Sequence, residues 1–167
     1  SINNLKSKGI FKSVKSNIID TKNIDQKNID LIVEERPTGE ISAGAGYGTE
    51  GSSFSLGIRE NNFNGKGIGL DGEIHLTEES LKGSISYTHP NFAYSDRALT
   101  TALESTSTDK LNGSGYKTSL NKVLVGTRYE QFENLFFAPN LSISSETIET
   151  TSKASSAFRK QEGSYFE

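Results

Sequence analysis

The sequence predicts a mainly β protein: a partial antiparallel transmembrane β-barrel of about seven strands, preceded by a short α/β segment. Three observations carry the prediction. From Gly39 onward, short runs alternate apolar and polar residues, which is the period of strands with one oily and one wet face. Turn residues separate the runs, and 16 glycines against 3 prolines suit tight turns and close strand packing. The apolar faces of the first four runs hold no charge. One Lys or Arg at mid-bilayer would cost about 2–4 kcal/mol, so the absence fits a lipid-facing surface, although a soluble sandwich would also keep charges off its inner faces.

Composition agrees. Only 32% of the 167 residues are hydrophobic, and mean hydropathy is negative. A barrel tolerates this because every second strand residue faces water. No run is long enough for a membrane helix and no signal peptide opens the chain. An open sheet cannot rest in lipid with a free edge, so the chain is expected to be a piece of a larger protein. The net charge of -3 is spread among both signs, without a basic patch interleaved with aromatics, so nucleic acid is not an expected partner. The lack of cysteine fits an oxidising compartment but also many cytosolic proteins.

Residues 1–36 read differently from the rest. Ser1 caps a short helix with Ile2 and Leu5 on one face, ended by Gly9. Strands are expected over Ile10 to Ile19 and Asn28 to Glu35, with the polar turn Asp20 to Lys27 between them. Pro37-Thr38-Gly39 marks a boundary. In the first run beyond it, Ile41, Ala43, Ala45 and Tyr47 oppose Glu40, Ser42, Gly44 and Gly46. Phe54, Leu56 and Ile58 then oppose Ser53, Ser55, Gly57 and Arg59. Ile68, Leu70, Ile74 and Leu76 oppose Asp71, Glu73 and His75; Leu81, Ile85 and Tyr87 oppose Lys82, Ser84, Ser86 and Thr88. Alternation weakens in the fifth run, Leu99 to Glu104. It is lost near Asn121 and Lys122, where a bulge is expected. In the seventh, Phe137, Leu141 and Ile143 oppose Asn140, Ser142, Ser144 and Glu146, and Pro139 argues against a central strand there.

The gaps sort into two sets. Asn61 to Lys66, Pro90 to Asp96 and Glu130 to Asn134 are short and bring Phe63, Phe92, Tyr94, Tyr129 and Phe132 to one rim, as an aromatic girdle at the membrane interface would be. The alternative is plain aromatic packing in turns. The opposite gaps grow from Gly48–Gly51 to Ser105–Ser114 and Thr147–Gly163, as outer loops do.

Five stretches resemble a known family and keep its order. Pro37-Thr38-Gly39-Glu40-Ile41-Ser42-Ala43-Gly44-Ala45-Gly46-Tyr47-Gly48-Thr49-Glu50 resembles the junction between the last POTRA domain and the first barrel strand of the BamA family. Glu60-Asn61-Asn62-Phe63-Asn64-Gly65-Lys66-Gly67 resembles that family's first periplasmic turn, and Tyr87-Thr88-His89-Pro90-Asn91-Phe92 the end of its fourth strand. Leu5-Lys6-Ser7-Lys8-Gly9-Ile10-Phe11 and Val33-Glu34-Glu35-Arg36-Pro37 resemble the closing helix and last strand of a POTRA domain. The resemblance implies residues 1–36 as the end of the last POTRA domain in the periplasm. Residues 37–167 would be the N-terminal half of a barrel in the bacterial outer membrane. The family's later Val-Arg-Gly-Phe loop is not in the chain.

It implies a factor that folds and inserts outer-membrane barrel proteins. Its partners would be the outer-membrane lipid bilayer, unfolded outer-membrane proteins as substrates, and periplasmic assembly lipoproteins. Glu40, Ile41, Ser42, Ala43, Gly44, Ala45, Gly46 and Tyr47 would form the seam strand that pairs with substrate. An unpaired strand edge offers N–H and C=O groups for β-augmentation, and small side chains weaken the closing pair. The alternative is ordinary small-residue packing. The short first run also suggests local membrane thinning beside the seam. A TamA-like or two-partner-secretion transporter of the same superfamily, a passive outer-membrane pore, and a soluble β-sandwich binding module are the competing readings.

Other constellations offer little chemistry. Gly44-x-Gly46-x-x-x-x-Gly51 lacks the following helix and Lys-Ser/Thr of a phosphate loop. Asp71, Glu73 and His75 share a strand face but diverge too far to hold a metal unaided. His75 and His89 sit in no nucleophile or acid–base set, and no Gly-x-Ser-x-Gly turn frames a serine. Asn112-Gly113-Ser114 matches a glycosylation acceptor that a bacterial loop would leave unmodified. No catalytic residue, metal site or cofactor is expected.

Overall fold

Each alternating run pairs with the next in chain order. The computed structural model describes residues 10–20, 27–48 and 51–167. β1 (Phe11–Asp20) and β2 (Lys27–Glu35) make a separate two-stranded antiparallel sheet. The main sheet contains β3 (Gly39–Gly48), β4 (Gly51–Phe63), β5 (Ile68–Thr77), β6 (Ser80–His89), β7 (Ala98–Lys110), β8 (Tyr116–Phe132), β10 (Asn140–Thr150) and β11 (Gly163–Phe166), in that spatial order. The short β9 (Leu135–Phe137) also pairs with β8, and the helix α1 (Ser156–Lys160) lies between β10 and β11. The helix expected over Ser1 to Gly9 lies outside the described residues, as does most of the turn between β1 and β2.

Register puts like with like. One row runs Ile41, Ile58, Gly72, Ile85, Leu103, Val123, Ile143 across seven strands. The neighbouring row, on the other face, begins Glu40, Arg59, Asp71, Ser86. A one-residue slip would invert every face, so the oily row fixes the pairing. The apolar side chains stay uncovered: Leu56, Ile74 and Val123 are 42%, 51% and 50% exposed. A soluble sandwich would bury that face between two sheets; here one open sheet leaves it bare.

The apolar stretch slides along the strands. It covers Ile68 to Leu76 on β5, whereas the row through Leu76 and Leu81 meets Ser107, Ser119 and Thr147 on β7, β8 and β10. On the later strands the apolar residues come earlier in the rows, at Leu99, Val125 and Leu141. Tilted strands produce this, because a level band crosses successive strands at successive rows.

The slide explains several departures from the sequence reading. The upper ends of β7, β8 and β10 pass beyond the oily band and are mostly polar, with Tyr116, Leu120 and Ile148 as the apolar exceptions, so their alternation fades while their pairing continues. Ser105 to Lys110 is strand, and only residues 111–115 turn. No bulge occurs at Asn121 or Lys122: Asn121 pairs with Ser105 and Ser145 without a shift, and the Ser105 hydroxyl bonds Asn121 Oδ1 at 2.8 Å. Register shifts fall instead between Glu60 and Phe63 and between Glu130 and Phe132. Thr147 to Thr150 belongs to β10, and the 151–162 connection carries α1 before β11 returns to pair with β10. The connections on that side still lengthen along the chain, from residues 78–79 to 111–115 to 151–162, but each of the last two begins later than expected. Pro139 separates β9 from β10, yet its carbonyl accepts the Thr127 N–H at 3.0 Å and keeps the chain beside β8. β3 has 10 residues, as many as β5 or β6, so the first strand is not short and gives no ground for local thinning.

The densest packing lies under the 151–162 connection. Ala154 and Ile148 are 4% and 8% exposed, and Phe158 stacks on Tyr116 with ring centroids 4.1 Å apart. Gly115, at φ +78°, approaches the Lys153–Ala154 backbone too closely for any side chain. Its carbonyl accepts the Thr151 N–H at 2.7 Å.

Candidate functional site

The eight residues Glu40 to Tyr47 all lie in β3, which forms one edge of the main sheet. β3 pairs with β4 on one side and with no strand on the other, among the described residues. Every residue of β3 is exposed, Ile41 at 80% and Tyr47 at 86%. Every second residue therefore offers its backbone N–H and C=O outward.

Small side chains interleave on the polar side of β3 and β4. Ser42 faces Gly57, Gly44 faces Ser55, and Gly46 faces Ser53. A Cβ on Gly44 would come 2.8 Å from Ser55 Oγ, and one on Gly57 would come 2.5 Å from Ser42 Oγ. The apolar side of β3 is also small at Ala43 and Ala45, which face Leu56 and Phe54. β3 thus buries little side-chain surface against its one neighbour, and backbone hydrogen bonds supply most of its hold.

The polar face curves around a hollow of about 290 Å³ whose lining includes Glu40, Ser42, Ser55, Arg59, Asp71 and Glu73. Arg59 Nε bonds Asp71 Oδ1 at 2.6 Å. Farther along the sheet, Lys122 Nζ lies 3.9 Å from Glu104 Oε2. Asp71, Glu73 and His75 follow one another along β5, with Asp71 engaged by Arg59. Gly44 and Gly46, two of the loosely loop-like glycines, lie in extended β3.

The girdle candidates share one end of the sheet. Phe63 closes β4, Phe92 and Tyr94 lie in a single 3-10 turn between β6 and β7, and Tyr129 and Phe132 are at the end of β8. Phe63, Phe92, Tyr94 and Phe132 are exposed, while Tyr129 is half-buried. The turn after β4 is built by Asn62, whose Oδ1 accepts the Gly67 N–H at 2.7 Å, with Asn64, Gly65 and Gly67 at positive φ. The sequence reading omitted Leu135 from this rim. β9 sets it beside Phe132, and the run Leu135-Phe136-Phe137 just before Pro139 is the signal that was there to find.

No family model matches the chain. Among solved structures, the chain is similar to BamA from Haemophilus ducreyi lacking POTRA domains 1–3, with a TM-score of 0.73 and 25% sequence identity. The match covers 89% of this chain and 29% of that one, so the chain spans under a third of the length of the BamA structure it matches. In its strand order, its open curvature and its uncovered apolar face, the chain has the fold of part of a BamA barrel.

Proposed function

We propose that this chain works as part of an outer-membrane protein assembly factor, and that β3 is the strand on which an incoming substrate strand pairs. The observation that carries the reading is the small side-chain contact of β3 with β4, where Gly44 and Gly46 face Ser55 and Ser53 and Ala43 and Ala45 face Leu56 and Phe54. An unfolded outer-membrane protein arrives with its own N–H and C=O groups unsatisfied. Pairing along β3 would satisfy them one strand at a time without exposing them to lipid. The weak side-chain hold of β3 suits a strand that must exchange partners. The role needs no covalent chemistry, so the protein acts without catalysis of bond making or breaking. Residues 1–36 would lie in the periplasm as the end of a POTRA domain, within reach of periplasmic assembly lipoproteins. The barrel strands would lie in the outer-membrane bilayer.

The chain has no cysteine, so single cysteines can be placed without clearing a background. In the complete membrane-borne protein, cysteines at Ser42, Gly44 and Gly46 should form disulfides with successive positions of a stalled substrate strand. A cysteine at Ser84, on the interior strand β6, should not. Equal crosslinking at Ser84, or none along β3, defeats the proposal.

A further inference from the structure

We infer that Arg97 and Tyr129 form a site for the phosphate of one phospholipid headgroup at the rim of the apolar band. Arg97 directly precedes β7, and Ala98 pairs with Arg128, so Arg97 falls in register with Tyr129. Tyr129 in turn pairs with Phe137. The three residues make a row on the face that carries Leu99, Val125 and Leu141. The Arg97 guanidinium carbon lies 4.9 Å from the Tyr129 ring centroid, and the Tyr129 and Phe137 rings meet edge-on at 5.8 Å.

Four features single out this place. The Tyr129 ring lies under the guanidinium carbon, a cation–π contact that holds the charge in place while its N–H groups remain free to take two oxygens of a phosphodiester. No carboxylate ion-pairs with Arg97 among the described residues. The preceding turn is braced: the Phe92 N–H donates to the Arg97 carbonyl at 2.9 Å, and Asn91 Oδ1 accepts the Asp96 N–H at 3.0 Å. Height is the fourth. Arg97 stands two residues beyond Leu99, or about 7 Å along a strand and about 5 Å along the normal of a strand tilted near 40°. The headgroup layer outside the hydrocarbon is about 5–7 Å deep, which puts the cation at phosphate level. Arg128 provides an internal contrast. It lies on the opposite face of β8, 4.7 Å from the Phe136 ring.

This inference rests on the membrane-barrel reading of the fold, and the experiment separates the two. The complete protein is extracted from phosphatidylethanolamine–phosphatidylglycerol membranes, and retained phospholipid is counted by native mass spectrometry. Heat-modifiable gel migration reports the folded barrel in the same samples. The unaltered protein should retain one phospholipid that Arg97→Gln loses by about fivefold, the effect of one basic residue at a lipid surface. Arg128→Gln should retain it, and inorganic phosphate should not displace it. Equal retention by folded Arg97→Gln, equal loss by Arg128→Gln, or displacement by inorganic phosphate alone each overturns the site while leaving the barrel intact. Failure of the unaltered protein to fold in lipid overturns both.

Discussion

Arg59 on β4 and Asp71 on β5 stand directly opposite each other, with Nε and Oδ1 2.6 Å apart, and Glu40 of the edge strand takes the next place in the same row. The ion pair itself is solvent-exposed and screened, so by itself it stabilises little. Its position matters more. One cation stands between two carboxylates where the edge strand meets the rest of the sheet.

Arg59→Asp would set three carboxylates side by side across β3, β4 and β5. Like charges directly opposite destabilise a strand pair. The midpoint of heat-modifiable migration should fall at low ionic strength and recover in high salt. Adding Asp71→Arg should restore it by returning a cation to the row. A midpoint that ignores both salt and the second substitution refutes this account of the row.

The two faces of β5 should respond oppositely to one charge. Ile74→Lys places an ammonium in the middle of the oily band and should destabilise the protein in vesicles by about 2–4 kcal/mol. Glu73→Lys, one residue away on the polar face, should leave the urea midpoint in the same vesicles nearly unchanged. Similar losses at both positions would mean that the faces are misassigned.

Gly115 and Gly113 lie in one turn but should tolerate alanine differently. A Cβ on Gly115 would come 2.5 Å from the Ala154 nitrogen, at φ +78°, whereas one on Gly113 meets nothing within 4 Å. Gly115→Ala should cost about 1–2 kcal/mol from the left-handed backbone alone, besides pushing the 151–162 connection away. Limited proteolysis of folded protein should cut residues 151–162 faster in Gly115→Ala and at the unaltered rate in Gly113→Ala.

Phe158→Ala removes the ring stacked on Tyr116. Aromatic pairs contribute about 0.5–1.5 kcal/mol beyond area burial. Amide exchange over residues 151–162 should speed up accordingly, while β4 to β6 keep their protection. Acceleration spread evenly over the whole sheet would show that the connection is not an independent unit.

Legibility in the sequence followed the oily face. Where one face is oily, as at Phe54-Leu56-Ile58 or Leu81-Ile85-Tyr87, the strand, its faces and its partner's faces could be read directly. Asn62-Phe63-Asn64-Gly65 announced its turn, because Asn and Gly reach the positive φ the turn requires. Beyond the oily band the signal failed. Ser105 to Lys110 and Thr147 to Thr150 looked like loop because polar residues fall on both faces, and the one buried apolar residue there, Ile148, sets no period. The seam candidates were named from sequence. The Arg97–Tyr129 contact was not, since residues 32 apart meet only through the β7–β8 register.

That this chain builds strands with one oily and one wet face, and roughly where it turns, is written in its residues, because side chains alternate with a period of two whatever their neighbours. How far each strand runs, where the bulges fall and how Pro139 is accommodated came from the folded sheet alone. Those outcomes depend on backbone hydrogen bonds between distant segments, and a backbone N–H or C=O carries no mark in the residue letters.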